Sequence, residues 1–186
     1  MKSRLFVPAL LAGILLFSAC DAAKKTAAET AIQGAQTAYS AVADQASQYV
    51  PNQAQDVQAS IQAAKDAFNK GDYSAALDAA KGLPDKIKAL AEAAKAKKDE
   101  LTAKWNDMSS SMPGMVSAVQ AKVDALTKAH KLPAGAADDL AAVKQAWSDA
   151  SSSFSSGKLQ DAMAEASAAK QKLTQLESML GMKPAA

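Results

Sequence analysis

Apolar side chains recur along most of this chain at alternating steps of three and four residues. The pattern starts at residue 32 and lasts to residue 180, and its first run is Ile32, Ala35, Tyr39, Val42, Ala46 and Tyr49. Such steps keep residues on one face of an α-helix. No stretch alternates with period two. The pattern therefore predicts an all-α fold of amphipathic helices without strands.

Prolines, glycines and a serine-rich segment interrupt the apolar runs. Pro51 and Pro133 stand where a helix should stop, and Gly71 and Gly157 where a left-handed residue would close one. The segment 109–114 gives a further break. Six helices are predicted, near 26–50, 52–69, 72–109, 113–131, 134–156 and 158–181. Their short connections predict antiparallel neighbours.

Local signals refine these boundaries. Asn52 and Asp72 can each cap the start of a helix, and Pro113 suits a first helical turn. Pro84 is ambiguous because the apolar stripe keeps its register across it. We favour a kink inside a long third helix over a full turn there.

The two halves of the chain resemble each other. Phe68-x-x-Gly71-x-Tyr73 recurs as Phe154-x-x-Gly157-x-Leu159, 86 residues later, and the apolar residues that follow match at the same offset. Val50-Pro51 and Leu132-Pro133 match at an offset of 82. The repeat predicts two duplicated three-helix units, 26–109 and 113–181, joined through the long third helix.

The first 20 residues differ from the rest of the sequence. Lys2 and Arg4 precede an apolar stretch, residues 6–17, which is too short to span a membrane, and the small residues Ser18 and Ala19 separate this stretch from Cys20. Cys20 is the only cysteine among 186 residues. This segment resembles the signal peptide and lipobox of bacterial lipoproteins, with an ordinary secretory signal cleaved near Ala19 as the alternative.

The lipoprotein resemblance implies removal of residues 1–19 and acylation of Cys20 by a thioether-linked diacylglycerol and an N-acyl chain. Several acyl chains suffice for stable membrane anchoring. Residues 20–25 would then form a lipid-anchored tether. Asp21 resembles a signal for retention at the inner membrane. The expected location is the periplasmic side of the cell envelope.

Charge and composition narrow the possible partners. Cleavage before Cys20 removes two basic residues and leaves 19 of each sign, so no nucleic-acid partner is expected. Alanine accounts for 46 residues, which is a good helix-forming composition but gives a thin core. A thin core favours self-association or stabilisation by a partner.

A second resemblance covers residues 27–98. An Ala-periodic helix, Tyr49-Val50-Pro51, a second amphipathic helix and Gly71-Asp72-Tyr73 are similar to a group of Ala-rich bacterial lipoproteins of unknown function. The hairpin around Gly71 also looks like one tetratricopeptide helix pair, but the 34-residue period of those repeats is missing. Neither resemblance implies an activity.

Few residues offer site chemistry. Met108, Met112 and Met115 could hold Cu(I) through soft thioethers, although methionine also fills irregular core gaps. His130 has no second histidine to form a metal motif, and its position suits a helix C-terminus. The serine runs at 109–111 and 151–156 lack a nucleophile-elbow motif. No catalytic residue and no cofactor is predicted.

We therefore expect a non-catalytic, lipid-anchored cell-envelope protein that acts as a structural or protein-interaction module. It would contact the membrane through acylated Cys20 and bind other envelope proteins, not yet identified. The alternative is a periplasmic binder of a soft metal such as copper, or of a small apolar ligand.

Overall fold

The computed structural model of the protein describes the backbone of residues 15–183 and the side chains of residues 21–183. Most of the predicted signal peptide, residues 1–19, lies outside this part. The described chain is all-α and contains no strand. The helices are α1 (Leu15–Tyr49), α2 (Pro51–Asn69), α3 (Tyr73–Lys81), α4 (Leu83–Lys128), α5 (Ala136–Ser155) and α6 (Leu159–Met179).

The chain divides into two compact units, and the division falls between Lys95 and Ala96, within α4. Unit 1 contains α1, α2, α3 and the first part of α4, and unit 2 contains the rest of α4 with α5 and α6. The predicted break at 109–114 is not a helix boundary.

In unit 1, α1, α2 and α3 pack against one another. Most of the buried side chains are small: Ala28, Ala35, Ala46, Ala54, Ala64, Ala76, Ala80 and Ala94. The Tyr39 hydroxyl reaches from α1 to the carbonyl oxygen of Ala54 at 3.3 Å. Alanine at a seam lets helix axes approach closely but contributes little buried apolar area.

In unit 2, α5 packs against α6, and Met112, Val119 and Val123 of α4 join the same core. This core is built from larger side chains than that of unit 1. Five of the six largest fully buried side chains in the described residues belong to it: Met112, Val119, Val143, Leu173 and Leu176.

The prediction at Pro84 was wrong. Pro84 does not kink a long helix; α3 ends at Lys81 and α4 begins at Leu83, so Pro84 lies in the first turn of α4. A first-turn amide has no helical partner, which makes a proline harmless there. Gly82 alone joins the helices, and its carbonyl accepts the first α4 hydrogen bond from the Lys86 amide at 3.2 Å.

The prediction at Pro113 was also wrong. Residues 109–114 are helical, and Pro113 lies inside α4. Its ring removes one hydrogen bond, to the carbonyl of Ser109. Pro113 is exposed, whereas Met112 and Val119 on either side are buried in the unit 2 core. Packing of those side chains on both sides of the proline favours a continuous helix over the local preference to break.

The expected cap at Asn52 is absent, because Pro51 begins α2 and Val50 takes the N-cap position without a side-chain hydrogen bond. The Asp72 cap is confirmed, with Oδ1 accepting from the Ala75 amide at 3.0 Å. The left-handed glycines are confirmed as well, with φ of 82° at Gly71 and 78° at Gly157.

Candidate functional site

The predicted anchor lies within a helix. α1 runs without interruption from Leu15 to Tyr49, so residues 20–25, the predicted lipid-anchored tether, are helical. The side chain of Cys20 lies outside the described residues, and Asp21 is exposed. A few residues further along, Lys25 Nζ lies 5.9 Å from the centre of the Tyr73 ring. This cation–π contact connects the start of the described α1 surface to α3.

The three methionines share one face of α4 but not one environment. Met112 is completely buried in the unit 2 core, and Met115 packs against that core. Met108 is half-buried and lines a separate groove against α6 with Lys170 and Thr174. Met112 thus has the gap-filling role that methionine commonly has in cores. In the part of the chain described, no group of three or more His, Cys, Asp or Glu side chains could hold a metal.

His130 terminates α4 in a way that the sequence analysis missed. It is exposed and has a φ of 56°, in the left-handed region. Its amide donates to the carbonyl of Thr127 at 3.0 Å, and the Lys131 amide donates to Leu126 at 2.9 Å. This is the Schellman hydrogen-bond pattern, in which the left-handed position is usually glycine. His130 therefore has a structural role in the backbone.

The serine runs are engaged with the helix backbone. In α4, Ser110 Oγ donates to the Asn106 carbonyl at 2.8 Å, and Ser111 Oγ to that of Asp107 at 3.0 Å. In α5, Ser151 Oγ donates to the Trp147 carbonyl at 2.9 Å. Serine hydroxyls inside helices commonly bond the carbonyl one turn back, so these contacts are local to each helix.

The carboxylates that the sequence presents in adjacent pairs are exposed, including Asp138 and Asp139. Glu100 has the one clearly perturbed acidity in the described residues. The hydrogen bond from Lys104, and then that from Lys97 at 3.0 Å, lower the pKa of Glu100 to about 2. Glu100 is exposed, so it forms a surface ion cluster with the two lysines.

A buried carboxylate was not singled out from the sequence. Glu177 on α6 is 2% exposed, and within the described residues its Oε2 has no hydrogen-bond partner. It lies in the helical turn between Leu173 and Leu180, which are both buried. A buried carboxylate oxygen without a hydrogen bond has a desolvation cost that no contact offsets. We assign it no chemistry.

The best-defined site in unit 2 is an aromatic stack. The Trp105 ring lies 5.4 Å from the Trp147 ring at 11° and 4.5 Å from the Phe154 ring at 9°. Trp105 is buried, Trp147 is half-buried, and Phe154 is 36% exposed. Both tryptophans lie on the apolar stripe of three- and four-residue steps, which predicts core positions for them, and Trp105 is buried as predicted. The pattern does not show that Trp147 borders an open groove.

Comparison with protein families, with curated proteins and with solved structures finds no significant match to this chain. Among the helices of the described residues, none is both long enough and apolar enough to cross a membrane.

Proposed function

We propose that this protein is a non-catalytic, lipid-anchored component of the bacterial cell envelope that acts as a structural or protein-interaction module. One sequence observation carries the proposal. The only cysteine of the chain, Cys20, comes after a basic start, a short apolar segment and the small residues Ser18 and Ala19. Acylation of Cys20 would attach the chain to a membrane.

The continuity of α1 supports a positioning role for such an anchor. A chain that begins at Cys20 would begin inside α1, only eight residues before Ala28, which is completely buried in unit 1. Lys25 already contacts the Tyr73 ring. Unit 1 would therefore stay within a few helical turns of the lipid, and no long linker would separate them. The aspartate at position 21 favours retention of the protein at the inner membrane.

We also propose that the two units arose by duplication of a three-helix unit. The turn from α2 to α3 and the turn from α5 to α6 have matching hydrogen bonds 86 residues apart. Gly71 donates to Phe68 at 3.0 Å and Gly157 to Phe154 at 2.9 Å, each through the backbone amide. The following amides, of Asp72 and Lys158, donate to Ala67 and Ser153 at 3.0 and 2.9 Å.

Under this proposal, one helix of unit 2 corresponds to parts of two helices in unit 1. An offset of 86 aligns α6 with α3 and the start of α4, and it aligns Leu176 with Leu90, both buried. The end of the first repeat then coincides with the boundary of unit 1 at Lys95.

Binding of a soft metal by the methionines is not proposed, because no observation in the structure favours it. Met112 already has a packing role, and Met108 faces a different groove from the core that Met115 borders.

The proposal is tested by fractionation of bacteria that express the full chain. Wild-type protein should sediment with membranes, resist extraction by high salt and be released by detergent. Cys20→Ala should be absent from the membrane fraction, whereas Ser18→Ala should behave as wild type. In enteric bacteria, Asp21→Ser should move the protein from the inner to the outer membrane. If high salt released wild-type protein and Cys20→Ala from membranes to the same extent, the proposed anchor would be contradicted.

A further inference from the structure

A groove between α4 and α5 borders the aromatic stack of unit 2. It has a volume of about 370 Å³, within the range typical of small-molecule sites. The groove is named here the Trp147 groove and is lined by Pro113, Val116, Ser117, Gln120, Lys144 and Trp147.

Trp147 is half-buried, since its side chain packs against the unit 2 core and also lines this groove. Trp147 and Phe154 are seven residues apart on α5, which corresponds to about 10.5 Å along the helix axis. The Trp105 ring stacks on both of them, at 5.4 and 4.5 Å, so it lies between them. The opposite face of Trp147 therefore points away from Trp105. The stack also fixes the indole before any ligand arrives, which reduces the entropy lost on binding.

The polar groups of the groove are held in place around the indole. Lys144 Nζ donates a hydrogen bond to Gln120 Oε1, which links α5 to α4. Gln120 Nε2 in turn donates to Asp124 Oδ1 at 2.8 Å. Ser117 is exposed, and among the described residues no hydrogen bond engages its hydroxyl. The groove thus presents an ammonium group and a hydroxyl beside a flat apolar surface.

This combination selects an amphipathic ligand. A wholly apolar ligand would displace water from Lys144 and Ser117 without replacing their hydrogen bonds. A polyanion would meet one cation together with the nearby carboxylate of Asp124. A pyranose ring satisfies both requirements, because its C–H face packs on an aromatic ring while its hydroxyls project from the edge toward donors and acceptors.

We propose that the Trp147 groove binds a saccharide, with one pyranose ring stacked on Trp147 and its hydroxyls bonded to Ser117 and Lys144. This site goes beyond the proposed function and does not depend on acylation of Cys20. One stacking contact with two or three hydrogen bonds gives an expected Kd of about 1 mM for a short oligosaccharide.

The two tryptophans of the chain are both in the stack, so intrinsic fluorescence reports directly on this site. The probes are chitotetraose, cellotetraose and maltotetraose, titrated into the detergent-solubilised full chain up to about ten times the expected Kd. At least one should produce a saturable fluorescence change. Isothermal calorimetry should give the same Kd.

Variants separate the groove from nonspecific binding. Trp147→Ala should weaken binding by at least about tenfold, and Lys144→Ala and Ser117→Ala by about three- to tenfold each. Lys170→Ala, which removes a lysine from the groove beside Met108, should bind as wild type. Ser117 and Lys144 are exposed, so these two variants decide the question if Trp147→Ala proves unfolded by circular dichroism.

Three results would overturn the proposal. The first is no saturable response to any of the three saccharides. The second is binding that Lys144→Ala and Ser117→Ala leave unchanged. The third is tighter binding of adenosine than of every saccharide, which would assign the groove to a planar aromatic ligand.

Discussion

The two helical hairpins of this protein share a turn but differ in their cores. α2–α3 and α5–α6 both turn through a left-handed glycine with the same pair of backbone hydrogen bonds. Unit 1 is packed mainly through alanine, whereas unit 2 holds most of the largest fully buried side chains and a three-ring stack. The turn depends on a few residues of local sequence. The stability of each hairpin depends on how much apolar area its helices bury.

This difference predicts unequal stability. Burial of apolar area stabilises by roughly 25 cal/mol per Å², so the larger side chains of unit 2 should give α5–α6 the greater resistance to local opening. Hydrogen exchange measured by mass spectrometry should show slower exchange for peptides from α5 and α6 than for peptides from α2 and α3.

The largest expected effect comes from the stack. Trp105→Ala should lower the free energy of unfolding by about 3–5 kcal/mol, because a buried indole between two rings is lost. Phe68→Ala is the matched variant in unit 1, where the ring is half-buried and meets Tyr73 edge-on, and it should cost only about 1–2 kcal/mol. Urea unfolding measures both. If Phe68→Ala lowered the free energy of unfolding more than Trp105→Ala does, the core of unit 2 would not be the more stabilising one.

The shared turn predicts equal effects in the two hairpins. Gly71→Ala and Gly157→Ala should each cost about 1–2 kcal/mol, since both have positive φ and neither new Cβ meets an atom within 4 Å. Gly82→Ala is the control, because Gly82 has a φ of −86° and equally open surroundings. It should be neutral or slightly stabilising. Equal losses at all three glycines would show that backbone conformation is not the cause.

His130 allows the reverse substitution, in which glycine replaces a left-handed residue. It holds the left-handed position that glycine holds at the other Schellman ends, so His130→Gly should stabilise the protein by about 0.5–1 kcal/mol. A thermal unfolding midpoint that falls in this variant would mean that the imidazole makes a contribution beyond the backbone.

The helix caps differ between the hairpins and offer a smaller test. Asp72→Ala should cost about 1 kcal/mol, because it removes the hydrogen bond to the Ala75 amide. Lys158, at the equivalent position before α6, makes no side-chain cap. Lys158→Asp should therefore stabilise α6 by about 0.5–1 kcal/mol, as measured by urea unfolding. A loss of stability there would contradict equivalence of the two helix starts.

The smallest effect concerns Glu100. Its pKa of about 2 lies below the ordinary 4.5, so its contribution to stability is present above the ordinary value and is lost as the pH falls toward 2. Because Glu100 is exposed, the effect on unfolding should be small and sensitive to salt. A carboxyl titration by NMR should show the low pKa, and Lys104→Ala should raise it more than Lys97→Ala. The same pKa in wild type and Lys104→Ala would exclude the lysine as its cause.

The sequence predicts the local features of this fold well and the long-range ones poorly. Gly71, Gly157 and Asp72 act through neighbours within a few residues, so their roles can be inferred from local chemistry. Pro84 and Pro113 show the limit. Their propensity to break a helix is the same, but Gly82 lets a helix restart before one, while core packing at Met112 and Val119 carries the helix past the other.

The candidate site shows the same limit. Trp105 and Trp147 lie 42 residues apart on the successive helices α4 and α5, and periodicity assigns each to a seam without pairing them. Their stacking, and the groove beside Trp147 with the Lys144–Gln120 hydrogen bond, depend on the register between α4 and α5. Cys20 is the reverse case, because its proposed role follows from the order of residues alone.

Mass spectrometry of the N-terminal peptide, after expression of the full chain in a bacterial host, tests the proposed lipid anchor most directly. The account predicts a chain that begins at Cys20 and carries a diacylglyceryl group on sulfur with an acyl group on the α-amine. Cys20→Ala should remove both modifications. A wild-type chain with an unmodified Cys20, or one that begins elsewhere, would contradict the account.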